Sequence, residues 1–182
     1  MEQDDLMTSD HNLAVIGTRH PDAAMVQYLT TTVRLAVTHG FVCVTGGAPG
    51  VDQLVMAVAT KMGRPEAVLA VVPSTSFEDD VFKRWPVRRR VLQKTDAVWF
   101  DSVAEFHPAP GRLTPFAQRL HARNYGIVAL ADAVCAGPRP DGQGGTAQGM
   151  RVARALGKPC WDVRFADQQV DCWQWLRCHM LN

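Results

Sequence analysis

The sequence predicts a single α/β domain in which a doubly wound parallel sheet lies between two layers of helices. Short apolar segments alternate about five times with longer segments that carry apolar residues at helical spacing. Most of the short segments are apolar throughout, which is typical of strands covered on both faces. Glycine or proline residues mark most of the boundaries between the two kinds of segment.

Six short apolar segments are predicted to be strands. The segment "LAVIG" begins the domain, and Pro73 ends the third strand. In order, the predicted strands are residues 13–17, 41–44, 67–72, 97–100, 133–136 and 160–163.

The longer segments are predicted helices. Helical spacing is clearest for Met25, Leu29, Val33 and Val37, and Gly40 follows them as a C-terminal cap. In order, the predicted helices are residues 22–39, 51–62, a basic helix at 80–94 interrupted near Pro86, 114–130, 146–156 and a terminal helix that contains Trp173 and Trp175. Residues 101–111 and 137–144 are rich in glycine and proline and are predicted loops.

Length and composition favour one domain and exclude several classes of protein. The chain has 182 residues, of which 47% are hydrophobic, enough for one substantial core. We expect the acidic, polar residues 1–11 to form a flexible tail and residues 12–182 to form the domain. No segment has the character of a membrane span or a signal peptide. Five cysteines without a CxxC pair indicate reduced thiols, so the predicted location is the cytoplasm.

The motifs predict neither a metal site nor a bound cofactor. The six histidines are scattered without HxxxH spacing, and no GxSxG nucleophile motif occurs. No loop has a Walker A ending, and none is a GxGxxG motif followed by the acidic residue of a dinucleotide site. The formal net charge is +1, which does not favour a duplex-binding domain.

Loops suited to anion binding follow three of the predicted strands. "GTRHP" follows the first strand, "TGGAPGVD" follows the second, and "GQGGTAQG" comes shortly after the fifth. In an open parallel sheet, ligands bind beyond the carboxyl ends of the strands. Glycines expose backbone amides and helix N-termini favour negative charge, so phosphate is the predicted ligand. The alternative interpretation is that these glycines form tight turns and bind no ligand.

Two charged residues in these loops are candidates for ligand contact. Arg19 directly follows the first strand, where a guanidinium suits a phosphate or carboxylate; the alternative is a surface arginine. Asp52 begins the second helix and either complements the helix N-terminus or binds a ligand hydroxyl.

Four segments of the sequence resemble one known family. "LAVIGTRHP" and "VTGGAPGVDQLVMAVA" resemble the first two strand signatures of the DNA-processing protein A (DprA/Smf) family. "ARNYGIVALADAVCAG" resembles its Arg-Asn motif with a helix and strand, and "GGTAQGMRVARALGKPCWDV" resembles its Gly-Thr turn, helix and final strand. The family shares a Rossmann-like domain, the SLOG superfamily, with the lonely-guy (LOG) cytokinin-activating enzymes. The resemblance covers residues 12–164 and implies a Rossmann-like, nucleotide-binding domain.

The resemblance implies a pocket for a nucleotide or a nucleotide-derived phosphate ligand, in a sensor or a DNA-processing accessory protein. It also implies association into homodimers or other homo-oligomers. By position, the implied lining residues are Gly17, Thr18, Arg19, Gly46, Gly47, Ala48, Gly50, Asp52, Arg123, Asn124, Gly144, Gly145 and Thr146.

One alternative is a LOG-like phosphoribohydrolase that acts on the N-glycosidic bond of nucleoside monophosphates. Such enzymes have the sequence motif "PGGxGTxxE", whose glutamate takes part in catalysis. Here Asp141, Gln143 and Gly149 stand at the Pro, the second Gly and the Glu of that motif. The missing carboxylate disfavours the enzyme unless Asp52, Asp132 or Asp141 replaces it.

A second alternative is a recombination mediator that binds single-stranded DNA. The nearly neutral net charge disfavours it, and the sequence leaves no room for the C-terminal winged helix of many family members. A basic cluster around Trp85 nevertheless offers cations and a stacking ring for nucleic acid. The cluster is Lys83, Arg84, Arg88, Arg89, Arg90 and Lys94, and we expect Arg88 or Arg89 to point into the pocket. The competing interpretation is a solvated helix face paired with Glu78, Asp79 and Asp80.

Overall fold

The computed structural model describes residues 11–180, so the predicted tail, apart from His11, lies outside the described residues. Six strands form one all-parallel sheet. They are β1 (Asn12–Gly17), β2 (Val42–Thr45), β3 (Val68–Val72), β4 (Arg88–Val91), β5 (Ala133–Gly137) and β6 (Cys160–Asp162). Their order across the sheet is β4-β3-β2-β1-β5-β6.

Seven α-helices and two short 3₁₀ turns accompany the strands within residues 11–180. The helices are α1 (Ala23–Thr38), α2 (Val51–Lys61), α3 (Asp79–Arg84), α4 (Ala97–Phe106), α5 (Pro115–Ala129), α6 (Gly145–Ala155) and α7 (Ala166–His179). The 3₁₀ turns are Pro65–Ala67 and Pro110–Arg112. Across this described part of the chain, no helix has both the length and the apolar character needed to cross a membrane.

The helices cover both faces of the sheet. Alternate residues of β1 point to opposite faces, so Leu13 and Val15 join one core cluster while Ala14 and Ile16 join another. Residues of α1, α2 and α7 pack in the first cluster, and residues of α5 and α6 pack in the second. The predicted doubly wound sheet between two helix layers is confirmed.

The order of the strands reverses at β1. The chain first builds outward from β1 to β4 and then returns to place β5 on the other side of β1, with Gly17 paired to Gly137. The helices that follow β1 and β5 therefore lie on opposite faces, and a crevice opens between them at the carboxyl ends of these strands.

The predicted strand at residues 97–100 is wrong, because these residues begin α4. A four-residue apolar run does not distinguish a strand from a buried helical turn. Trp99, Val103 and Phe106 recur at helical spacing, and the Trp99 ring packs so closely on Gly126 of α5 that a Cβ there would collide with it. The predicted loop at 101–111 is consequently wrong in part, since α4 continues through it to Phe106.

The predicted basic helix at residues 80–94 is wrong in its second half. The helix ends at Arg84, before Pro86, and Arg88–Val91 form strand β4, which pairs with β3 at the edge of the described sheet. Charged side chains suit an exposed sheet edge because they discourage pairing with other chains. A contact with α4 also stabilises this strand, because the Arg90 guanidinium lies 3.8 Å from the centroid of the Trp99 ring.

A single lysine satisfies the C-terminal end of α5. The Nζ of Lys158 donates hydrogen bonds to the carbonyl oxygens of Val128 and Ala129 at 2.9 Å and of Ala131 at 2.5 Å. The last carbonyl groups of a helix have no partner within the helix, so this ammonium group serves as their cap. It also ties α5, which forms one wall of the crevice, to the loop before β6.

We expect Lys158→Met to lower the free energy of unfolding by about 2 kcal/mol, the scale of hydrogen bonds to a charged group. The methionine keeps most of the aliphatic stem but removes the ammonium donor from three carbonyl groups, of which only that of Val128 also accepts a backbone N–H, from Ala131, within residues 11–180. Urea unfolding followed by circular dichroism measures the change. Lys61→Met, at the exposed end of α2, is the matched control, and equal midpoints for the two variants would contradict the capping role.

Candidate functional site

A cleft of about 670 Å³ opens at the carboxyl ends of β1 and β5, where the strand order reverses. Its walls come from the β1–α1 turn, the start of α2, one face of α5 and the loop between β5 and α6. The lining residues are Ile16, Gly17, Thr18, Arg19, His20, Ala48, Asp52, Leu120, His121, Arg123, Asn124, Ile127, Arg139, Pro140, Gln143, Gly144, Gly145 and Thr146.

The structure brings most of the predicted site residues together in this lining. Those present are Gly17, Thr18, Arg19, Ala48, Asp52, Arg123, Asn124, Gly144, Gly145 and Thr146. The cleft lining does not include Gly46, Gly47 or Gly50. That these residues bind a ligand stays a prediction.

Two of the glycines outside the lining have packing roles. Gly50 has φ +90°, and a Cβ there would collide with the carbonyl oxygen of Thr18. The start of α2 therefore rests directly on the β1–α1 turn, and the Val51 N–H donates to that same oxygen at 3.2 Å. Gly47 has φ +73° and lies against the ring of Phe82.

The third glycine makes room for Arg123. A Cβ on Gly46 would collide with Nη1 of Arg123 and would lie 2.8 Å from Oδ2 of Asp52. The absence of a side chain at Gly46 thus lets a guanidinium and a carboxylate meet beneath the cleft.

Arg123 and Asp52 form a buried pair of opposite charges. Their exposed fractions are 6% and 5%, and Nη1 of Arg123 lies 3.8 Å from Oδ2 of Asp52. That separation is too long for a hydrogen bond, and Oδ2 instead accepts the Ala48 N–H at 3.2 Å. Burial raises the pKa of the Asp52 carboxyl, while the nearby charge of Arg123 opposes the rise.

The guanidinium of Arg123 has unused hydrogen-bond donors. Its Nε is buried and has no hydrogen-bond partner within residues 11–180. Burial lowers the pKa of Arg123, but a guanidinium remains charged in proteins. A buried charged donor without an acceptor is costly, so an anion in the cleft would be stabilised here.

The N-terminus of α6 supplies a second group of donors. Gly144, with φ +90°, precedes the first helical residue, Gly145, and no side chain of residues 11–180 caps this end. The first turn also contains no acidic residue, so its amides and the positive end of the helix dipole are available to an anion. Gly145 is close to α5, where a Cβ would lie 2.9 Å from Nδ2 of Asn124.

The rim of the cleft contains an arginine that the sequence did not single out. Arg139 lines the cleft, and its Nη2 lies 2.6 Å from Oδ2 of Asp141. Arg164 fixes this loop by donating from Nη1 to the carbonyl oxygen of Arg139 at 3.0 Å. The buried carboxylate of Asp162 in turn holds Arg164, at 2.6 Å from Nη2. The contact of Arg164 with Arg139 joins residues 25 positions apart, so local patterns did not reveal it.

His121 and Gln148 were also missed by the sequence interpretation. His121 lines the cleft, and Gln148 holds it and Asn124 from α6. The signal for His121 was its position on α5, three residues before Asn124 and on the same helical face. Within residues 11–180, no group of three or more histidine, cysteine or acidic side chains is placed to hold a metal ion.

Gly149, at the position of the LOG glutamate, is part of the packed interior. A Cβ there would lie 2.7 Å from Cδ1 of Ile16, so a glutamate side chain would fit only if Ile16 moved. Of the three possible replacements, only Asp52 lines the cleft. Asp132 accepts a hydrogen bond from the Asn12 N–H at the amino ends of β1 and β5, away from the cleft. Asp141 pairs with Arg139.

The basic cluster around Trp85 lies outside the cleft, and neither Arg88 nor Arg89 points into it. Lys83 forms ion pairs with Asp79 and Asp80, and Arg89 pairs with Asp79. Arg90 pairs with Asp96 at 2.6 Å. Acidic neighbours therefore neutralise much of the positive charge on this surface, as the interpretation of a solvated, paired face predicts. The basic residues do not share one helix face, however, because they are divided between α3 and β4.

Comparison with known families identifies the group to which the chain belongs. The family model for DNA recombination-mediator protein A matches residues 4–180, nearly the full sequence. The chain belongs to this family. The DprA assignment made from four sequence segments is confirmed, and the family is one of DNA-processing recombination mediators.

Solved structures of DprA proteins share the fold. DNA processing protein A from Helicobacter pylori is 21% identical with a TM-score of 0.65, and the match covers 88% of this chain and 68% of that one. DprA from Streptococcus pneumoniae is 18% identical with a TM-score of 0.60, covering 92% of this chain and 56% of that one. No curated protein sequence is significantly similar to this chain.

We expect Gly50→Ala to lower the free energy of unfolding by about 3 kcal/mol or more, because it adds a backbone collision to an unfavourable φ. Urea unfolding measures the change. Gly63→Ala is the matched control, since Gly63 has φ +71° but open space around its Cβ position. The control should lose only about 1 kcal/mol. Equal losses for the two variants would show that close packing of α2 on the β1–α1 turn is unimportant.

Proposed function

We propose that this DprA-family domain binds the phosphate of a nucleotide in the cleft, either as a free nucleotide or as one unit of single-stranded DNA. The observation that carries the proposal is the buried guanidinium of Arg123, whose Nε has no partner within the described residues and which lines the cleft. Its long contact with Asp52 balances charge without using the donors. A phosphate oxygen in the cleft would accept from the terminal nitrogens of this guanidinium, because Nε itself is fully buried.

The charges around the cleft favour an anion, although the chain as a whole is nearly neutral. Within residues 11–180, three arginines, Arg19, Arg123 and Arg139, line the cleft, against the carboxylate of Asp52 in the lining and that of Asp141, which pairs with Arg139. The uncapped N-terminus of α6 adds a partial positive charge on the same side. The net charge of +1 therefore conceals a local excess of positive charge at the site.

The size and the apolar part of the lining suit a nucleotide. The volume of about 670 Å³ is within the usual range of small-molecule sites. Ile16, Leu120, Ile127 and Pro140 provide apolar surface beside the arginines. Such a site accommodates a charged phosphate at one end and a less polar sugar or base at the other.

Single-stranded DNA is the favoured source of this phosphate. The solved H. pylori relative is described by its mode of binding single-stranded DNA, and this chain belongs to the same family. The domain would then hold one nucleotide of a strand in the cleft, and its homo-oligomers, if formed, would present several such clefts to one strand. A free nucleotide bound as a signal is the second candidate, favoured by the concave shape of the site.

We expect Arg123→Gln to weaken binding of a fluorescent dT20 oligonucleotide and of thymidine monophosphate at least about tenfold, because a charge-assisted hydrogen bond is lost. The dependence of dT20 affinity on salt should become less steep by about one phosphate contact. Fluorescence anisotropy and calorimetry measure the two affinities.

The controls isolate the role of the cleft. Arg34→Gln removes an exposed arginine on α1 and should bind dT20 like the wild type. Asp52→Asn combined with Arg123→Gln tests whether the loss is only repulsion by the unpaired Asp52 carboxylate. Displacement of dT20 by thymidine monophosphate would show that strand and nucleotide share the cleft. Wild-type affinity in Arg123→Gln would refute the proposal.

We expect no release of free base when the protein is incubated with the common nucleoside monophosphates. The position of the LOG glutamate is occupied by Gly149, which packs against Ile16 and leaves no carboxylate there. Chromatography of the reaction mixture makes the measurement. Base release that disappears in Asp52→Asn would instead assign the cleft to an N-glycosidic-bond enzyme.

A further inference from the structure

The α5 wall of the cleft contains a polar network that phosphate binding does not require. Gln148 of α6 is only 1% exposed, and its Oε1 lies 2.5 Å from Nδ1 of His121 and 3.0 Å from Nδ2 of Asn124. Its Nε2 lies 3.5 Å from the carbonyl oxygen of His121. One buried side chain thus contacts two residues that line the cleft.

The chemistry of the groups fixes the direction of each hydrogen bond. A carbonyl oxygen only accepts, so the amino group of Gln148 must face the His121 backbone and its oxygen must face the imidazole. An amide oxygen also only accepts, so Nδ1 of His121 carries the proton and donates it. The same oxygen accepts from the amino group of Asn124. Nε2 of His121 and Oδ1 of Asn124 are then the atoms left for a ligand.

The surroundings keep the imidazole neutral. Burial lowers the pKa of His121, and the hydrogen bond to Gln148 opposes this effect only in part. Three titratable neighbours, His107 after α4, Arg123 on α5 and Arg151 on α6, lower the pKa of His121 further. The His107 ring packs edge-on at 4.5 Å between centroids. At neutral pH, Nε2 of His121 therefore carries a lone pair rather than a proton.

We infer that His121, held by Gln148, recognises a hydrogen-bond donor on the sugar or base of the bound nucleotide through Nε2, with Oδ1 of Asn124 as a second acceptor. This inference rests on the proposed function, because it concerns the part of the ligand that adjoins the phosphate. Lone pairs repel phosphate oxygens and attract hydroxyl, amino or imino groups. The α5 wall thus gives the cleft a preference for nucleotides over inorganic phosphate.

The first test compares ligands that share a phosphate. His121→Leu should weaken binding of at least one deoxynucleoside 5′-monophosphate about tenfold, the scale of a lost hydrogen bond to a group left unpaired, and change the affinity for inorganic phosphate less than about twofold. Deoxyribose 5-phosphate separates the two sources of the donor: a similar loss places it on the sugar, and no loss places it on the base. His39→Leu, at the exposed end of α1, is the matched control and should change none of these affinities.

The second test concerns the positioning role of Gln148. Nitrogen NMR of the imidazole should show the Nδ1–H tautomer for His121 in the wild type. Gln148→Leu should abolish this preference and reduce nucleotide affinity as much as His121→Leu does, with phosphate affinity retained. If Gln148→Leu does not fold, the tautomer in the wild type and the affinities of His121→Leu remain decisive.

The outcomes distinguish this inference from the proposed function. Wild-type protein that binds none of dT20, nucleotide and phosphate would overturn both. Wild-type binding that His121→Leu weakens in equal proportion for nucleotides and inorganic phosphate, or leaves unchanged, would overturn only the role of His121. An Nε2–H tautomer in the wild type would do the same.

Discussion

The buried pair of Arg123 and Asp52 is the interaction on which the organisation of the site depends. Removing two charges from water is costly, and their separation of 3.8 Å recovers only part of that cost. The surrounding chain is shaped to accept the pair. Gly46 leaves space for the guanidinium, and the Ala48 amide donates to the carboxylate. Charge balance is thereby achieved while donors of the guanidinium remain available at the cleft.

The two glycine-rich loops have different roles: one allows close packing, and the other leaves a helix N-terminus exposed. In the loop after β2, glycines allow close approach of Arg123 and of the β1–α1 turn, so they build the floor of the site. In the loop before α6, Gly144 and Gly145 leave a helix N-terminus uncovered at the wall of the cleft. The two loops are similarly rich in glycine, and only the residues that surround them in the fold distinguish their roles.

The sequence predicted the fold well where pattern and length agreed. Strands β1, β2, β3 and β5 are short apolar runs closed by glycine or proline, and they were predicted, as was β6, which follows Gly157 and Pro159. The prediction failed between residues 80 and 106, where the edge strand β4 is a run of arginines and α4 begins with four apolar residues. In both cases the local pattern was outweighed by tertiary contacts, chiefly those of Trp99 with Arg90 and with Gly126.

The candidate site was predictable to the extent that it follows strand ends. Gly17, Arg19 and Gly145 lie in the cleft because parallel strands end at one edge of the sheet. The contacts of Gln148 with His121 and of Arg164 with the rim loop join positions about 25 residues apart on different elements, which no periodicity records.

A crystal structure of the protein with thymidine monophosphate or a short dT oligonucleotide would test the central claim most directly. We expect a phosphate oxygen within about 3 Å of a terminal nitrogen of Arg123, beside the N-terminus of α6. Phosphate bound elsewhere, with the Arg123 guanidinium still without an anionic ligand, would contradict it.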